Sequence, residues 1–154
     1  MELDAADRAL LAALQEDARL PQAALGTRVG LSAAAVNRRV ARLTRSGHIS
    51  GTSAVLDPAL LGYPTTVIAH LALVDERTDR LDALESVLTS NPHVQQCYYV
   101  TGEWDFIVVL LVRDMRQYRE LTRELFFAGG NVKRFETSVV MHQAKKSLGV
   151  PLDP

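Results

Sequence analysis

The spacing of apolar residues changes near Asp57-Pro58. Before this point apolar residues recur at intervals of three and four, which is typical of amphipathic helices. After it, short strand-like runs alternate with amphipathic helical stretches. The sequence therefore predicts a helical domain, a linker, an α+β domain and a tail, at residues 1–56, 57–64, 65–142 and 143–154 respectively.

Three helices are predicted in the first segment. Asp4 is placed to cap the first helix, and Pro21 suits the first turn of the second because its missing N–H is not needed there. Gly30 ends the second helix, and Ser32 caps the third at once. Apolar stripes on the first and third helices are expected to be buried, namely Leu10, Leu11, Leu14, Val36, Val40 and Leu43.

Two helices separated by a tight glycine-containing turn, the second capped by serine, match a helix-turn-helix. Residues 49–56 are short and partly β-branched, and predict a small hairpin or wing after it. From Arg28 to Arg45 there are five arginines and no acidic residue, although the whole chain has a formal net charge of −1. Arginine can reach phosphates or guanine, and asparagine can pair with adenine. The predicted DNA-binding residues are Arg28, Ser32, Ala33, Ala34, Asn37, Arg38, Arg39, Arg42 and Arg45.

The second half of the chain predicts the order β-α-β-β-α-β, which is that of a ferredoxin-like fold. Thr78 and Asp114 are expected to cap its two helices. The inward stripes are Leu81, Leu84, Val87 and Leu88 on one helix, and Met115, Tyr118, Leu121, Leu125 and Phe126 on the other. The strands are predicted at 65–74, 94–100, 105–112 and 132–142. The fold class is thus α+β, with a winged helix-turn-helix domain followed by a ferredoxin-like βαββαβ domain.

The strand 106–112 is apolar throughout, whereas a sheet with one wet face should alternate apolar and polar residues. Two helices cover only one sheet face, so the other face requires cover, most simply from a second subunit. We therefore predict a homodimer, which would present two recognition helices to a pseudo-palindromic DNA site. The residues assigned to its interface are Ile68, His70, Val108 and Leu110.

Composition narrows the class of protein further. The single cysteine, Cys97, excludes an intramolecular disulfide and fits a reducing cytoplasm. The acidic start of the chain does not resemble a secretory leader, and no apolar run approaches the roughly 18 residues that a membrane span requires. The four histidines are scattered without metal-ligand spacing. We expect a cytoplasmic protein with no membrane partner, no metal and no cofactor.

Motifs along almost the whole chain resemble one family. They are Leu3-Asp4…Asp7-Arg8, Val29-Gly30-Leu31-Ser32…Arg42-Leu43…Gly51, Leu56-Asp57-Pro58…Leu61-Gly62 and Val100-Thr101-Gly102…Asp105. In this order they resemble the LDxxDR, VGLSxxxVxxRVxRLxxxGxIxG, LDPxxLG and VTGxxD segments of the Lrp/AsnC, or feast/famine, transcription regulators. Gly26 departs from the family's usual alanine, and glycine costs about 1 kcal/mol of helix propensity there unless a close contact requires it.

The resemblance implies a DNA-binding transcription regulator, not an enzyme. It also implies dimers built by the C-terminal sheets, which often assemble further into octameric rings. Effectors of the family are commonly amino acids, bound between dimers near the turn that matches Gly102 to Asp105. Binding shifts the assembly or the spacing of the DNA-binding heads, which couples effector to DNA affinity.

The residues of this turn suit a zwitterionic amino acid. A backbone N–H at Gly102 could meet a carboxylate, Asp105 could hold an ammonium group, and Trp104 could wall an apolar side chain. The alternative is a plain hairpin turn with Trp104 as an interface anchor. The predicted effector residues are Gly102, Glu103, Trp104, Asp105, Thr137 and Ser138.

Two other functions stay open from the residues. Certain haem-biosynthesis decarboxylases resemble this architecture and act on a tetrapyrrole, which would require basic and histidine side chains lining a large pocket. This sequence places its arginines on the predicted third helix instead. The other alternative is an oligomeric amino-acid sensor whose head does not bind DNA, since Ala33, Ala34 and Ala35 offer few base contacts.

Overall fold

The structure, a computed structural model, describes residues 2–152. It divides into two compact units, one of residues 2–55 with 145–152 and the other of 56–144. The boundary between residues 55 and 56 lies close to Asp57-Pro58, where the spacing of apolar residues changes. Residues 145–152, within the predicted tail, belong to the helical unit. There the side-chain amide of Gln15 donates to Val150 O (3.2 Å) and accepts from Val150 N (2.6 Å).

The helical unit contains the three predicted helices, α1 (Ala5–Glu16), α2 (Gln22–Val29) and α3 (Ala33–Arg45). Asp4 caps α1 as predicted, in a reciprocal capping box with Asp7. Ser32 caps α3 by accepting a hydrogen bond from Ala35 N. Pro21 occupies the N-cap of α2 rather than its first turn. The apolar stripes meet in a small core whose buried members are Leu10, Ala13, Leu25 and Val36.

The turn between α2 and α3 depends on two glycines. Gly30 ends α2 in the left-handed conformation, at φ 70°, which glycine adopts without a steric cost. Gly26 lies under the turn, where Leu31 N donates to Gly26 O at 2.8 Å. A Cβ on residue 26 would lie 2.4 Å from Leu31 O. This is the close contact that explains glycine inside the helix.

Gly26→Ala is therefore expected to destabilise the helical unit, although alanine normally favours a helix by about 1 kcal/mol. The added methyl group overlaps a backbone oxygen, so we expect a net loss of about 2 kcal/mol in the free energy of unfolding. Chemical denaturation followed by far-UV circular dichroism measures it. Gly51→Ala is the control, because no atom lies within 4 Å of the position that its added methyl group would take. Equal stability of both variants would show that the turn can widen.

The predicted hairpin or wing after α3 is wrong. Residues 49–56 contain no strand, and His48 and Ile49 donate backbone hydrogen bonds to Leu43 O at the end of α3. The following residues, 50–56, are exposed, and no strand of the described chain pairs with them. β-Branched residues such as Val55 favour a strand only when another strand supplies the hydrogen bonds. The domain is a helix-turn-helix without a β wing in its described residues.

The second unit has the predicted β-α-β-β-α-β order. Its elements are β1 (Thr65–Leu73), α4 (Thr78–Ser90), β2 (Val94–Tyr99), β3 (Phe106–Val112), α5 (Met115–Thr122) and β4 (Val132–Val139). All pairings are antiparallel, in the order β2-β3-β1-β4. This is a ferredoxin-like sheet. A π-helical turn, Arg123–Phe127, continues α5 and buries Leu125 and Phe126.

Details of the helices differ from the expected caps and stripes. Asp114 caps α5 by accepting from Gln117 N at 2.8 Å, as predicted. Thr78 is the first residue of α4, and no side chain caps that helix. Val87 and Met115, which are predicted to be buried in these stripes, are exposed. Each lies at the margin of its stripe, where a small rotation of the helix turns a side chain to solvent.

The two faces of the sheet differ, and one predicted assignment is wrong. Val108 and Leu110 are fully buried on the helix-covered face, where they pair with Ala69 and Val67. The open face carries Ile68 and His70, as predicted, together with three apolar residues of β3, namely Ile107, Val109 and Leu111. A shift of one residue exchanges the faces of a strand. Because β3 is apolar throughout, its sequence does not reveal which residues face the helices.

Candidate DNA-binding and effector sites

The residues of α3 separate into two stripes. Asn37, Arg38 and Arg45 are exposed, and within the described chain neither of these arginines forms an ion pair. Ala33 and Ala34 are exposed at the start of the helix. The Ser32 hydroxyl is engaged with Ala35 N at 3.2 Å. This stripe therefore combines unpaired cationic side chains with small residues. The backbone of another molecule could approach the helix closely beside the small residues.

The second stripe of α3 faces the start of α1. Arg42 donates to both carboxylate oxygens of Asp7, at 2.6 and 2.5 Å, and Arg39 donates to Asp7 Oδ1 at 2.8 Å. Arg39 also pairs with Asp4 Oδ2 at 2.7 Å. Asp7 is only 1% exposed, so its charge depends on these two guanidinium groups. We call these four residues the Asp–Arg cluster.

The contacts within the Asp–Arg cluster shift the pKa values of Asp4 and Arg39. The hydrogen bond from Arg39, followed by that from Asp7 N, lowers the pKa of the Asp4 carboxyl below its ordinary value. The hydrogen bonds to Asp4 and then to Asp7 raise the pKa of Arg39. Arg28, on α2, pairs with Glu16 of α1. Three of the predicted DNA-binding arginines are thus engaged by carboxylates, and their contact with DNA stays a prediction.

The sequence offers a weak signal for this cluster. Asp7 is the third residue of α1, where a carboxylate interacts favourably with the positive end of the helix dipole. Arg39 and Arg42 are three apart on α3, which places them on one side of that helix. Only the packing of α1 against α3 brings the two acids and the two arginines together.

The predicted effector turn lies between β2 and β3. Gly102 has φ 121°, a conformation that favours glycine. Asp105 is held by the sheet, because its Oδ2 accepts from Leu73 N at 2.7 Å and its backbone N–H donates to Leu71 O at 2.8 Å. The carboxylate predicted to hold an ammonium group thus also anchors the end of β1.

A polar and aromatic cluster flanks this turn. The guanidinium of Arg134 lies 4.3 Å from the centre of the Trp104 ring, and its Nη2 donates to Glu103 at 2.8 Å. The centre of the His70 ring is 5.7 Å from the centre of the Trp104 ring. Trp104 therefore has both a cation and an imidazole as neighbours. Sequence reasoning missed Arg134, which is far from the turn in the sequence.

Thr137 and Ser138 do not share a face. The Thr137 hydroxyl lies 2.7 Å from the Tyr118 hydroxyl, on the side of the sheet that the helices cover. Ser138 pairs with Ile68 on the open face and is exposed. Burial raises the pKa of Tyr118, so its hydroxyl stays protonated. Only Ser138 of the two lies on the same face as His70.

The arrangement of potential ligands offers no metal site among residues 2–152. No group of three or more potential metal ligands exists in this range. Cys97 packs partly against the core, and burial raises the pKa of its thiol, which disfavours the reactive thiolate. His93 Nδ1 donates to Leu111 O at 3.1 Å, and its Nε2 accepts from the side-chain amide of Gln117 at 3.2 Å. No helix in the described range is long and apolar enough to cross a membrane.

Comparison with known proteins decides the family. Residues 3–44 match the AsnC-type helix-turn-helix domain, and residues 66–150 match the Lrp/AsnC ligand binding domain. The chain belongs to the Lrp/AsnC family. Members of this family are transcription regulators with a DNA-binding helix-turn-helix and a ligand-binding domain, and they are not enzymes. The predicted family is confirmed, and so is the predicted fold class apart from its wing; the names of the family and of these relatives are those of transcription regulators, as predicted, and not of decarboxylases.

Relatives within the Lrp/AsnC family match over nearly the whole chain. An uncharacterised HTH-type transcriptional regulator of Sinorhizobium fredii is 40% identical, covering 99% of this chain and 90% of the relative. The leucine-responsive regulatory protein of Escherichia coli is 34% identical, covering 95% and 89%. The crystal structure of a transcriptional regulator of Neisseria meningitidis in complex with L-Met has a TM-score of 0.93 at 24% identity, covering 99% and 98%. This last likeness shows the shared fold.

Proposed function

We propose that this regulator binds a specific, pseudo-palindromic DNA site as a homodimer, and that a small effector, an amino acid, changes its assembly or its affinity for DNA. The observation that carries the proposal is the exposed stripe of α3. Asn37, Arg38 and Arg45 lie on the second helix of a helix-turn-helix, which is the helix that enters the major groove in this motif. Asn37 supplies base recognition, and the two arginines supply contacts to phosphate or guanine.

Arg38→Ala is expected to weaken DNA binding by about tenfold, because it removes a charged contact that no carboxylate among residues 2–152 neutralises. The slope of log affinity against log salt should become shallower by about 1.8 for the homodimer, which loses one phosphate contact from each protomer. Fluorescence anisotropy of the full chain with DNA from upstream of its gene, at several salt concentrations, measures both quantities. Random DNA of equal length gives the non-specific reference.

Arg19→Ala is the matched control, because Arg19 is an exposed arginine of the same unit that lies outside α3. It should leave both affinity and salt slope nearly unchanged. An Arg38→Ala variant with wild-type affinity and slope would place the DNA on another face. Absence of any preference for the upstream DNA in the wild type would favour the sensor that lacks DNA binding.

The dimer is proposed to form through the open face of the sheet. Ile68, Ile107, Val109 and Leu111 form an apolar band there that no helix of the second unit covers. Burial of such a band in a second copy stabilises association by the hydrophobic effect. Sedimentation velocity over a range of concentrations tests this step.

The amino-acid effector is supported by the family's ligand-binding domain and by the relative that is named for leucine. The test is a screen of the twenty L-amino acids against the full chain by isothermal titration calorimetry, with L-leucine first. A binding amino acid should also shift the anisotropy titration with upstream DNA. If none of the twenty binds, the effector belongs to another class.

A further inference from the structure

A shallow cavity of about 340 Å³ lies along one side of α3. The residues that line it are Leu31, Ala35, Arg38, Arg39 and Arg42. The last four follow the i, i+3, i+4, i+7 spacing, which places them on one strip of the helix. Arg38 also belongs to the exposed stripe that is proposed to meet DNA, so the cavity lies at the edge of that stripe. We call it the arginine cavity.

Two of its arginines keep hydrogen-bond donors that the carboxylates do not use. Within residues 2–152, Arg39 donates to Asp4 and Asp7 through Nη1 alone. Arg42 donates to Asp7 through Nη2 alone, and its buried Nε has no partner in the described chain. A guanidinium group can donate from all of its nitrogens, and buried N–H groups are paired in most proteins. These spare donors favour a ligand that brings acceptor oxygens to the cavity.

The net charge of this site suits an anion with a single negative charge. The Asp–Arg cluster contains two carboxylates and two guanidinium groups, so its charges cancel. Arg38 forms no ion pair within the described residues, and it adds one positive charge to the cavity lining. A phosphodiester of DNA carries one negative charge. Its unesterified oxygens are acceptors that match the planar donors of guanidinium groups.

We propose that the arginine cavity binds one phosphate group of the DNA backbone in each half-site, with Arg38 as its main partner and with Arg39 and Arg42 donating through the nitrogens that no carboxylate engages. Asp4 and Asp7 are then positioning residues, because they fix these two guanidinium groups beside the phosphate. The inference rests on the proposed binding of DNA, and it adds the site that fixes α3 to the backbone.

The first test uses the fact that a phosphate contact carries no sequence information, whereas a base contact does. Arg38→Ala should lower the affinity for upstream DNA and for random DNA by the same factor, so that the ratio of the two affinities is unchanged. Asn37→Ala is the contrasting variant, because loss of a base contact should lower the affinity for upstream DNA alone. Fluorescence anisotropy of the full chain with duplexes of equal length, at one salt concentration, measures these affinities.

The second test changes the carboxylate that engages Arg39. Asparagine at position 4 can still accept the backbone N–H of Asp7, so Asp4→Asn keeps the cap of α1. It releases Arg39 from one carboxylate, and the affinity for both DNAs should rise about threefold, within the strength of an exposed ion pair in each protomer. The double variant Asp4→Asn/Arg39→Gln has the net charge of the wild type but lacks this guanidinium. Its affinity for both DNAs should fall about threefold or more below that of the wild type.

Asp17→Asn is the matched control, because it removes one negative charge from the same unit outside the Asp–Arg cluster. It should raise both affinities less than Asp4→Asn does, and an equal rise would contradict the positioning role of Asp4. Circular dichroism checks that each variant is folded.

A changed affinity ratio in Arg38→Ala would overturn this inference while the binding of DNA stands, because it would assign Arg38 to a base. Wild-type affinity in the folded double variant would remove Arg39 from the phosphate site. If the wild type binds neither DNA, the proposed function fails, and this inference fails with it.

Discussion

Val108→Asp is expected to leave the second unit unfolded at room temperature. Val108 is 0% exposed and lies in the core between the sheet and its helices. A carboxylate there has no partner, and an uncompensated buried charge costs about 5 kcal/mol. That is a large part of the roughly 5–15 kcal/mol by which a typical domain is stable. Denaturation followed by the fluorescence of Trp104, the single tryptophan, reports on this unit alone.

Val109→Asp is the neighbouring control. Val109 lies on the open face, so its carboxylate can remain hydrated in a monomer, and the unit should fold. It should fail to self-associate at concentrations where the wild type is dimeric. A cooperative, wild-type transition in Val108→Asp would contradict the observed strand register. A folded and fully dimeric Val109→Asp would exclude the open face as the dimer interface.

Asp7→Asn is expected to lower the stability of the helical unit by about 3 kcal/mol. The substitution keeps the shape of the side chain but removes the charge that Arg39 and Arg42 share. The side-chain amide of asparagine also has an N–H₂ group, which places hydrogen-bond donors against the donors of the guanidinium groups. Hydrogen exchange of the α1 and α3 amides measures the effect, since Trp104 lies in the other unit.

Asp17→Asn is the control, because its pair with Arg19 is exposed and should contribute little. The comparison is made at pH 7. The lowered pKa of Asp4 contributes stability that is present above its ordinary pKa of 3.8 and is lost as pH falls through the lower folded value. Equal exchange rates in Asp7→Asn and wild type would show that the Asp–Arg cluster does not stabilise the packing of α1 on α3.

The elements of the fold were predictable because local patterns specify them. The caps at Asp4, Ser32 and Asp114 follow from side chains that can accept a backbone N–H, and these three positions agree with the structure. The order of strands and helices follows from periodicity. The predicted wing failed because Val55 and its neighbours have no strand with which to pair.

Features that depend on packing were not predictable in this way. The uniformly apolar β3 carries no alternation, so the faces of Val108 and Val109 could be assigned only from its pairing with β1. The approach of Arg134 to Trp104 joins residues 30 positions apart through the sheet. The arginines of α3 look alike in sequence, and only the approach of α1 distinguishes Arg38 from Arg42.

Residues 145–152 make the DNA-binding unit discontinuous in sequence, with the effector domain inserted into it. Leu152 lines one shallow cavity with Ala5, Ala9 and Ala12 of α1, and Val150 is bound to Gln15. A fragment that ends at residue 55 therefore lacks part of its own unit. If truncation of the last ten residues abolishes DNA binding, the truncation has damaged the helical unit. Deletion mapping would assign the same loss to the effector domain, because the deleted residues follow that domain in the sequence.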